Sequence, residues 1–271
     1  MNARPRTILV AVLLLSLGLA ACGGQPEAEG QGSGMQDWPD LTDLGGATIV
    51  VATDNQWVPW AYIDKADGQA KGFDHDLFAE ICKRANCTPE FKEFSWDGLF
   101  EAGQAGEWDV SCWGITLTLE RSKVIDYSDP IIQYGAIILT KADTTVKDLD
   151  SLVNSELILG GVPGSTEYIT SVKLVGEERV KAIDADLLIE GLLRDDYDAV
   201  VYDETGAYGV MTEYPGELTI AARVTSGEFV ALPMRPGWPG QVAINAALNE
   251  MWKDGSMQAL VDKWFPGLGE Q

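Results

Sequence analysis

Four short stretches of this 271-residue chain carry side chains able to hold a small charged molecule. Arg121 closes the run Thr118-Leu119-Glu120-Arg121 and offers a planar fork that matches a carboxylate. Ser165 and Thr166 follow the Pro163-Gly164 turn at a predicted helix start, where hydroxyls, free N–H groups and the helix dipole favour an anion. Asp203 ends an apolar run and supplies the opposite charge, and Asp54 ends another. Trp57 and Trp96 stand beside predicted element starts and are suited to wall a pocket; a Trp face also attracts cations. Each residue also has a plainer use. Arg121 has Glu120 and Asp126 nearby for a surface ion pair, Asp203 is equally suited to cap a helix, and the tryptophans to fill a core. Other chemistries lack their residues. His75 is the only histidine, no Cys-x-x-Cys occurs, and neither a phosphate-binding G-x-x-x-x-G-K nor a G-x-S-x-G elbow is present.

Alternating strand-like and helix-like runs must position these groups, which signals an α/β fold. Ala47–Ala52 reads as a buried strand. Asp74 is the expected N-cap of a helix carrying Leu77, Phe78 and Ile81, with His75 solvated beside it. Strands are expected over 91–94 and 109–116, with a short helix over 96–105 between them. A second block has strands over 157–162 and 198–203 and helices from Ser165 and over 187–193. A strand over 229–233 and a long helical region over 241–264, interrupted at Gly255, close the chain; Trp252 and Trp264 are expected in the core. Two α/β blocks with polar residues at strand ends predict a cleft where they meet.

Lys and Arg number 19 against 42 Asp and Glu, a formal charge of −23. Such a charge repels nucleic-acid backbones and anionic lipid headgroups, and fits a salt-adapted surface. At the N-terminus, Arg4 and Arg6 precede an apolar stretch over Thr7–Leu19, the pattern of an export signal over residues 1–21. The run Leu19-Ala20-Ala21-Cys22-Gly23 resembles the lipobox of bacterial lipoproteins, which implies a lipidated Cys22 as the first mature residue. Gly-rich residues follow, so 22–45 reads as lipidated cysteine and flexible tether. No later run is apolar for long enough to span a bilayer, so the expected state is anchored rather than spanning.

The strand-end motifs, taken in order, resemble the bacterial extracellular solute-binding proteins, family 3, of amino-acid ABC transporters. They are Val51-Ala52-Thr53-Asp54 with Val58-Pro59-Trp60, Gly72-Phe73-Asp74-His75-Asp76-Leu77, Trp96-Asp97-Gly98-Leu99, and Trp108-Asp109-Val110 with Gly114-Ile115-Thr116-Leu117-Thr118-Leu119-Glu120-Arg121. Asp126-Tyr127-Ser128-Asp129-Pro130, Pro163-Gly164-Ser165-Thr166-Glu167, Tyr197–Asp203 and Trp264-Phe265 complete the set, over about residues 46–268. The resemblance implies a two-lobed, type 2 periplasmic-binding-protein (Venus-flytrap) fold with two crossover hinge strands near Tyr134–Ala136 and Gly227–Phe229. Residues 46–134 plus 229–271 would form lobe 1, and 135–228 lobe 2. It further implies a cell-envelope receptor, monomeric and without a cofactor, that captures a free amino acid and hands it to an ABC permease.

By the same resemblance, Arg121 pairs with the ligand carboxylate, Asp203 with its ammonium, and Gly114 and Thr116 with both. Ser165 and Thr166 add donors, while Asp54, Trp57 and Trp96 hold the ligand side chain. Val162, Tyr202 and Glu167 depart from residues seen in relatives and leave few positive groups at the side-chain end, which favours a polar or basic ligand over an acidic one. Exported cyclohexadienyl dehydratase-like enzymes and chemosensor subunits share the fold and are the alternatives.

Cys82 and Cys87 flank the expected end of the first helix. With Asn86 left-handed at C′, they take the C3 and C″ positions of a Schellman ending, which touch. Export permits a bridge there, and some basic-amino-acid-binding relatives have a similar one; the other reading is two free thiols. Cys112 is expected as a buried free thiol.

Overall fold

A computed structural model describes residues 40–224, 227–266 and 268. The export signal, Cys22 and most of the tether lie outside the described residues.

Two five-stranded sheets organise the chain. The first runs in the order Cys87–Glu93, Ala47–Thr53, Val110–Ser111, Pro233–Met234, Asp126–Tyr127. Its first three strands are parallel, and Pro233–Met234 is antiparallel to both neighbours. The second runs Val180–Ala182, Leu159–Gly161, Ala199–Asp203, Ala136–Lys141, Leu218–Arg223, again with three parallel strands and an antiparallel remainder. Each sheet packs its own apolar core. Trp60, Phe73, Phe78, Trp108 and Phe265 belong to the first; Ile137, Leu139, Leu192 and Val200 belong to the second. Between the sheets the chain passes along Ile132–Tyr134 and returns along Glu228–Val230. These two strands pair antiparallel, Glu228 opposite Tyr134, as a separate ribbon. The first sheet therefore draws on strands that precede and follow the second sheet in sequence. Parallel strands 2-1-3 leave a switch point at their carboxyl ends, and both sheets turn that edge toward the same cleft.

Local chemistry explains where observed elements differ from expectation. The first helix is Phe73–Ala85, and its N-cap is Gly72 at φ 131, with no side-chain cap. A Cβ at Gly72 would lie 2.2 Å from the Trp60 carbonyl oxygen, so only glycine fits. Asp74 is not the cap. Its side chain is buried and accepts the Trp113 N–H at 2.8 Å. His75 is not free in solvent either: Nε2 lies 2.9 Å from the Asn55 side-chain oxygen and the ring packs on Phe91 at 4.2 Å. Partial burial pushes its pKa down. The expected strand over 109–116 is regular only at Val110–Ser111, because Trp113 and Gly114 both take positive φ, 78 and 76, and turn the chain out of the sheet. The helix over 96–105 shortens to Leu99–Gln104 behind a left-handed Gly98.

The first helix ends on a left-handed Asn86 whose N–H donates to the Cys82 carbonyl, and Cys82 and Cys87 form a disulfide. Cys112 is a buried free thiol. The closing region splits into Gln241–Asp254 and Ser256–Trp264 at Gly255, φ 83. Trp252 is not core. The first of these helices buries Ile244, Leu248 and Met251, and a residue one step past Met251 falls about 100° around the axis, toward solvent. Trp264 is half-buried, its indole N–H donating to Asp76 at 2.7 Å.

Candidate functional site

Arg121 opens a short 3-10 turn, Arg121–Lys123, that follows the loop leaving the first sheet. Its guanidinium lies over the rings of Trp96 and Phe100, 5.1 and 5.3 Å from their centroids. Nη1 donates to the Thr116 carbonyl at 2.9 Å, and Nη2 donates across the cleft to the Gly164 carbonyl at 3.1 Å. The two acids that offered a surface ion pair are engaged elsewhere. Glu120 pairs with Lys123 at 2.7 Å, and Asp126 accepts the Gly237 N–H at 2.7 Å. Stacking and the carbonyl bonds thus hold the fork in place with neutral partners, and its charge remains available to an anion.

Facing it, Ser165 caps the helix Thr166–Val175, its Oγ accepting the Tyr168 N–H at 2.9 Å. Thr166 Oγ1 lies 3.4 Å from Thr116 Oγ1, which lies 2.8 Å from the Tyr134 hydroxyl. Trp96 Nε1 donates to the Pro163 carbonyl at 3.2 Å. Three hydrogen bonds therefore cross the cleft within one turn of chain, Pro163–Thr166. Helix dipole and guanidinium reinforce one another at this end.

Asp203 ends the strand Ala199–Asp203 and caps the helix Glu204–Glu213. Its Oδ1 accepts from the Thr205 hydroxyl and the Gly206 N–H. The cap and the cavity position are thus one and the same residue. Burial raises its pKa, opposed by the bonds from Thr205, Gly206 and Trp57. Beside it, the rings of Trp57 and Tyr202 pack with centroids 5.1 Å apart and planes tilted by 36°, one from each lobe. Glu167 stands in the first turn of the Ser165-capped helix. Burial pushes its carboxyl up to about 7, with Asp203 and Glu228 adding repulsion and Arg121 opposing. Burial likewise pushes Asp54 up to about 6.

Beneath the site Asp74 anchors the Trp113 amide, and burial pushes its carboxyl up to about 8. At the neighbouring Gly114 a Cβ would come within 2.8 Å of the Trp60 ring. The chain at this point runs directly over that indole, and its backbone faces the cavity.

Asp54, Trp57, Trp96, Gly114, Thr116, Arg121, Ser165, Thr166 and Asp203 all line one cavity between the lobes. Trp113, Ile115, Tyr134, Glu167, Leu188 and Tyr202 join them. Tyr134 is marked in the sequence only as a hinge position, because it sits on a crossover strand, where an aromatic looks like core. Glu167 was legible only as a departure from the Ser-Thr turn's usual neighbour. The arrangement places a guanidinium, hydroxyls and a helix start at one end. The carboxyls of Asp54, Glu167 and Asp203 and the indoles of Trp57, Trp96 and Trp113 line the same cavity, a set of groups suited to a zwitterion.

The model for bacterial extracellular solute-binding proteins, family 3, matches residues 49–267. A probable histidine-binding protein of Neisseria gonorrhoeae is 28% identical over 272 residues, covering 97% of each chain. Among solved structures, an ancestral arginine-binding protein bound to glutamine is 33% identical with a TM-score of 0.74, covering 80% of this chain and 97% of its own. The arginine-, lysine-, histidine-binding protein of Geobacillus stearothermophilus is 28% identical with a TM-score of 0.74, covering 80% of this chain and 95% of its own.

Proposed function

The chain belongs to the bacterial extracellular solute-binding proteins, family 3, and from that premise we propose that it captures a free amino acid between its lobes for an ABC importer. The observation that carries this reading is the pairing of opposite charges across one cavity. Arg121 faces the helix start at Ser165–Thr166, and the buried carboxylate of Asp203 stands on the other lobe. In this reading the ligand carboxylate sits between Arg121, Thr116 and the Ser165–Thr166 turn. Its ammonium meets Asp203, and its side chain lies between Trp57, Trp96 and Trp113. Asp54 and Glu167 add negative potential and, among the described residues, no lysine lines the cavity, which favours a polar or basic side chain. Binding draws the lobes together because the ligand touches both, and the shift is limited by its differential affinity for the closed state. The names of the relatives, histidine-, arginine- and lysine-binding, point the same way. The role is capture and not turnover, and Cys22 carries the lipid that keeps the receptor at the cell envelope.

Titration of amino acids and prephenate, followed by Trp fluorescence and thermal melts, tests this. Saturation at 100 times the dissociation constant raises stability by about 2.7 kcal/mol. Arg121→Ala and Asp203→Ala each lower affinity at least tenfold, since a hydrogen bond to a charged group contributes about 1.5–3 kcal/mol. Unchanged affinity in both variants, or turnover of prephenate, refutes the reading. Palmitate labelling that persists in Cys22→Ala refutes the anchor.

A further inference from the structure

Trp60 belongs to the core of the first lobe. It is 1% exposed and fixed between Phe73, at 5.3 Å, and Phe265, at 4.7 Å. Its indole nevertheless points out of that core. Nε1 donates to Thr205 Oγ1 on the second lobe at 3.0 Å. Thr205 is itself 1% exposed, and its hydroxyl donates to Asp203 Oδ1. The direction of both bonds is forced. An indole N–H only donates, so Oγ1 must accept, and the single hydroxyl proton is left for the carboxylate.

We propose that Trp60 and Thr205 are positioning residues, a two-bond relay that couples lobe closure to the orientation of the Asp203 carboxylate. The inference rests on the reading of Asp203 as the partner of the ligand's ammonium. Three observations carry it. The relay spans the two lobes, so separating them breaks the 3.0 Å bond. Its far end is an oxygen of the acid that lines the cavity. Oδ1 is held by Thr205 and by the Gly206 N–H, and the Trp57 side chain also bonds this carboxyl, so its orientation is fixed by named donors. Bonds aligned head to tail polarise one another, so the Trp60 N–H strengthens the Thr205 donor as the cleft shuts. A phenylalanine at position 60 keeps an aromatic ring against Phe73 and Phe265, at the cost of some core volume, and breaks the relay.

The test is hydrogen exchange by mass spectrometry on the full chain in detergent, with and without the twenty proteinogenic L-amino acids at 1 mM each. Peptides covering 160–168 and 203–208 are read. In the wild-type chain the mixture slows exchange in both. Trp60→Phe and Thr205→Val each reduce that ligand-dependent protection by about fivefold, the worth of one neutral hydrogen bond. Thr205→Ser restores it, and the double variant loses no more than either single one. A purely structural role would instead raise exchange equally with and without amino acids, and leave the ligand-dependent difference unchanged. Full protection in both single variants overturns the relay and leaves the capture reading intact. Absence of protection in the wild-type chain overturns the capture reading and the relay with it.

Discussion

Replacing Asp74 by Asn isolates one buried carboxyl and gives a result whose sign is fixed by linkage. Asp74 is 1% exposed and its pKa rises from an ordinary 3.8 to about 8, chiefly through burial. The Trp113 N–H and the Cys112 side chain oppose the rise without cancelling it. Between those two values the folded chain binds a proton that the unfolded chain has released. Stability contributed by this group is therefore present at low pH and is lost as pH climbs from about 4 toward 8. At 1.36 kcal/mol per pH unit, the interval from pH 5 to pH 8 is worth at most about 4 kcal/mol. Asn keeps an oxygen for the Trp113 N–H and has no proton to lose, so the variant lacks this slope. At about 2–4 °C per kcal/mol for a chain of this size, its melting temperature gains on the wild type by up to about 16 °C between pH 5 and pH 8. Asp54 and Glu167 titrate in both proteins, so their contribution largely cancels in the comparison. Thermal melts of both chains in matched buffers read the gap. A gap that stays constant across this range would refute a neutral, burial-shifted Asp74.

The remaining expectations concern ligand charge and the cross-link. Because burial lifts Glu167 to about 7, affinity for an amino acid with a cationic side chain rises between pH 6 and pH 8 as the carboxyl ionises, and Glu167→Gln flattens that profile. Isothermal titration at three pH values checks it, and an unflattened profile in the variant would remove Glu167 from the site. The disulfide closes a loop with a sequence separation of 5. Replacing both Cys82 and Cys87 by Ala should cost about 2 kcal/mol on a chain-entropy account. A denaturant midpoint equal to that of the wild type would show that the cross-link adds nothing to stability.

Much of this protein is legible in its order of residues. Runs such as Ala47–Ala52 and Asp198–Asp203 declare strands through local apolar content, and the residues ending them declare polar chemistry. Asn86 between an apolar helix and Cys87 announces a left-handed ending, because few other residues tolerate that backbone. Arg121 and Ser165 stand out through the motifs that carry them, Thr118-Leu119-Glu120-Arg121 and Pro163-Gly164-Ser165-Thr166-Glu167, because an arginine beside two acids and a hydroxyl at a helix start each have plainer local uses. The failures share a cause as well. Asp74 reads as a cap because a carboxyl near a helix start usually is one, yet its true partner, the Trp113 amide, lies 39 residues away. The strand over 109–116 breaks because Trp113 and Gly114 turn over the Trp60 ring, a contact no local pattern reveals. Trp252 reads as core by type, whereas helix phase sends it to solvent. Sequence by itself determined which residues carry charge, hydroxyls and aromatic surface, and which short elements present them, since these follow from side-chain type and backbone preference within a few residues. Tertiary structure alone decided which of those groups share one cavity, which carboxyls are deprived of water, and that Trp60 reaches Thr205 across the cleft, 145 residues away. Desolvation and hydrogen bonding act through distance in space, and the chain sets that distance only when both lobes are folded and brought together.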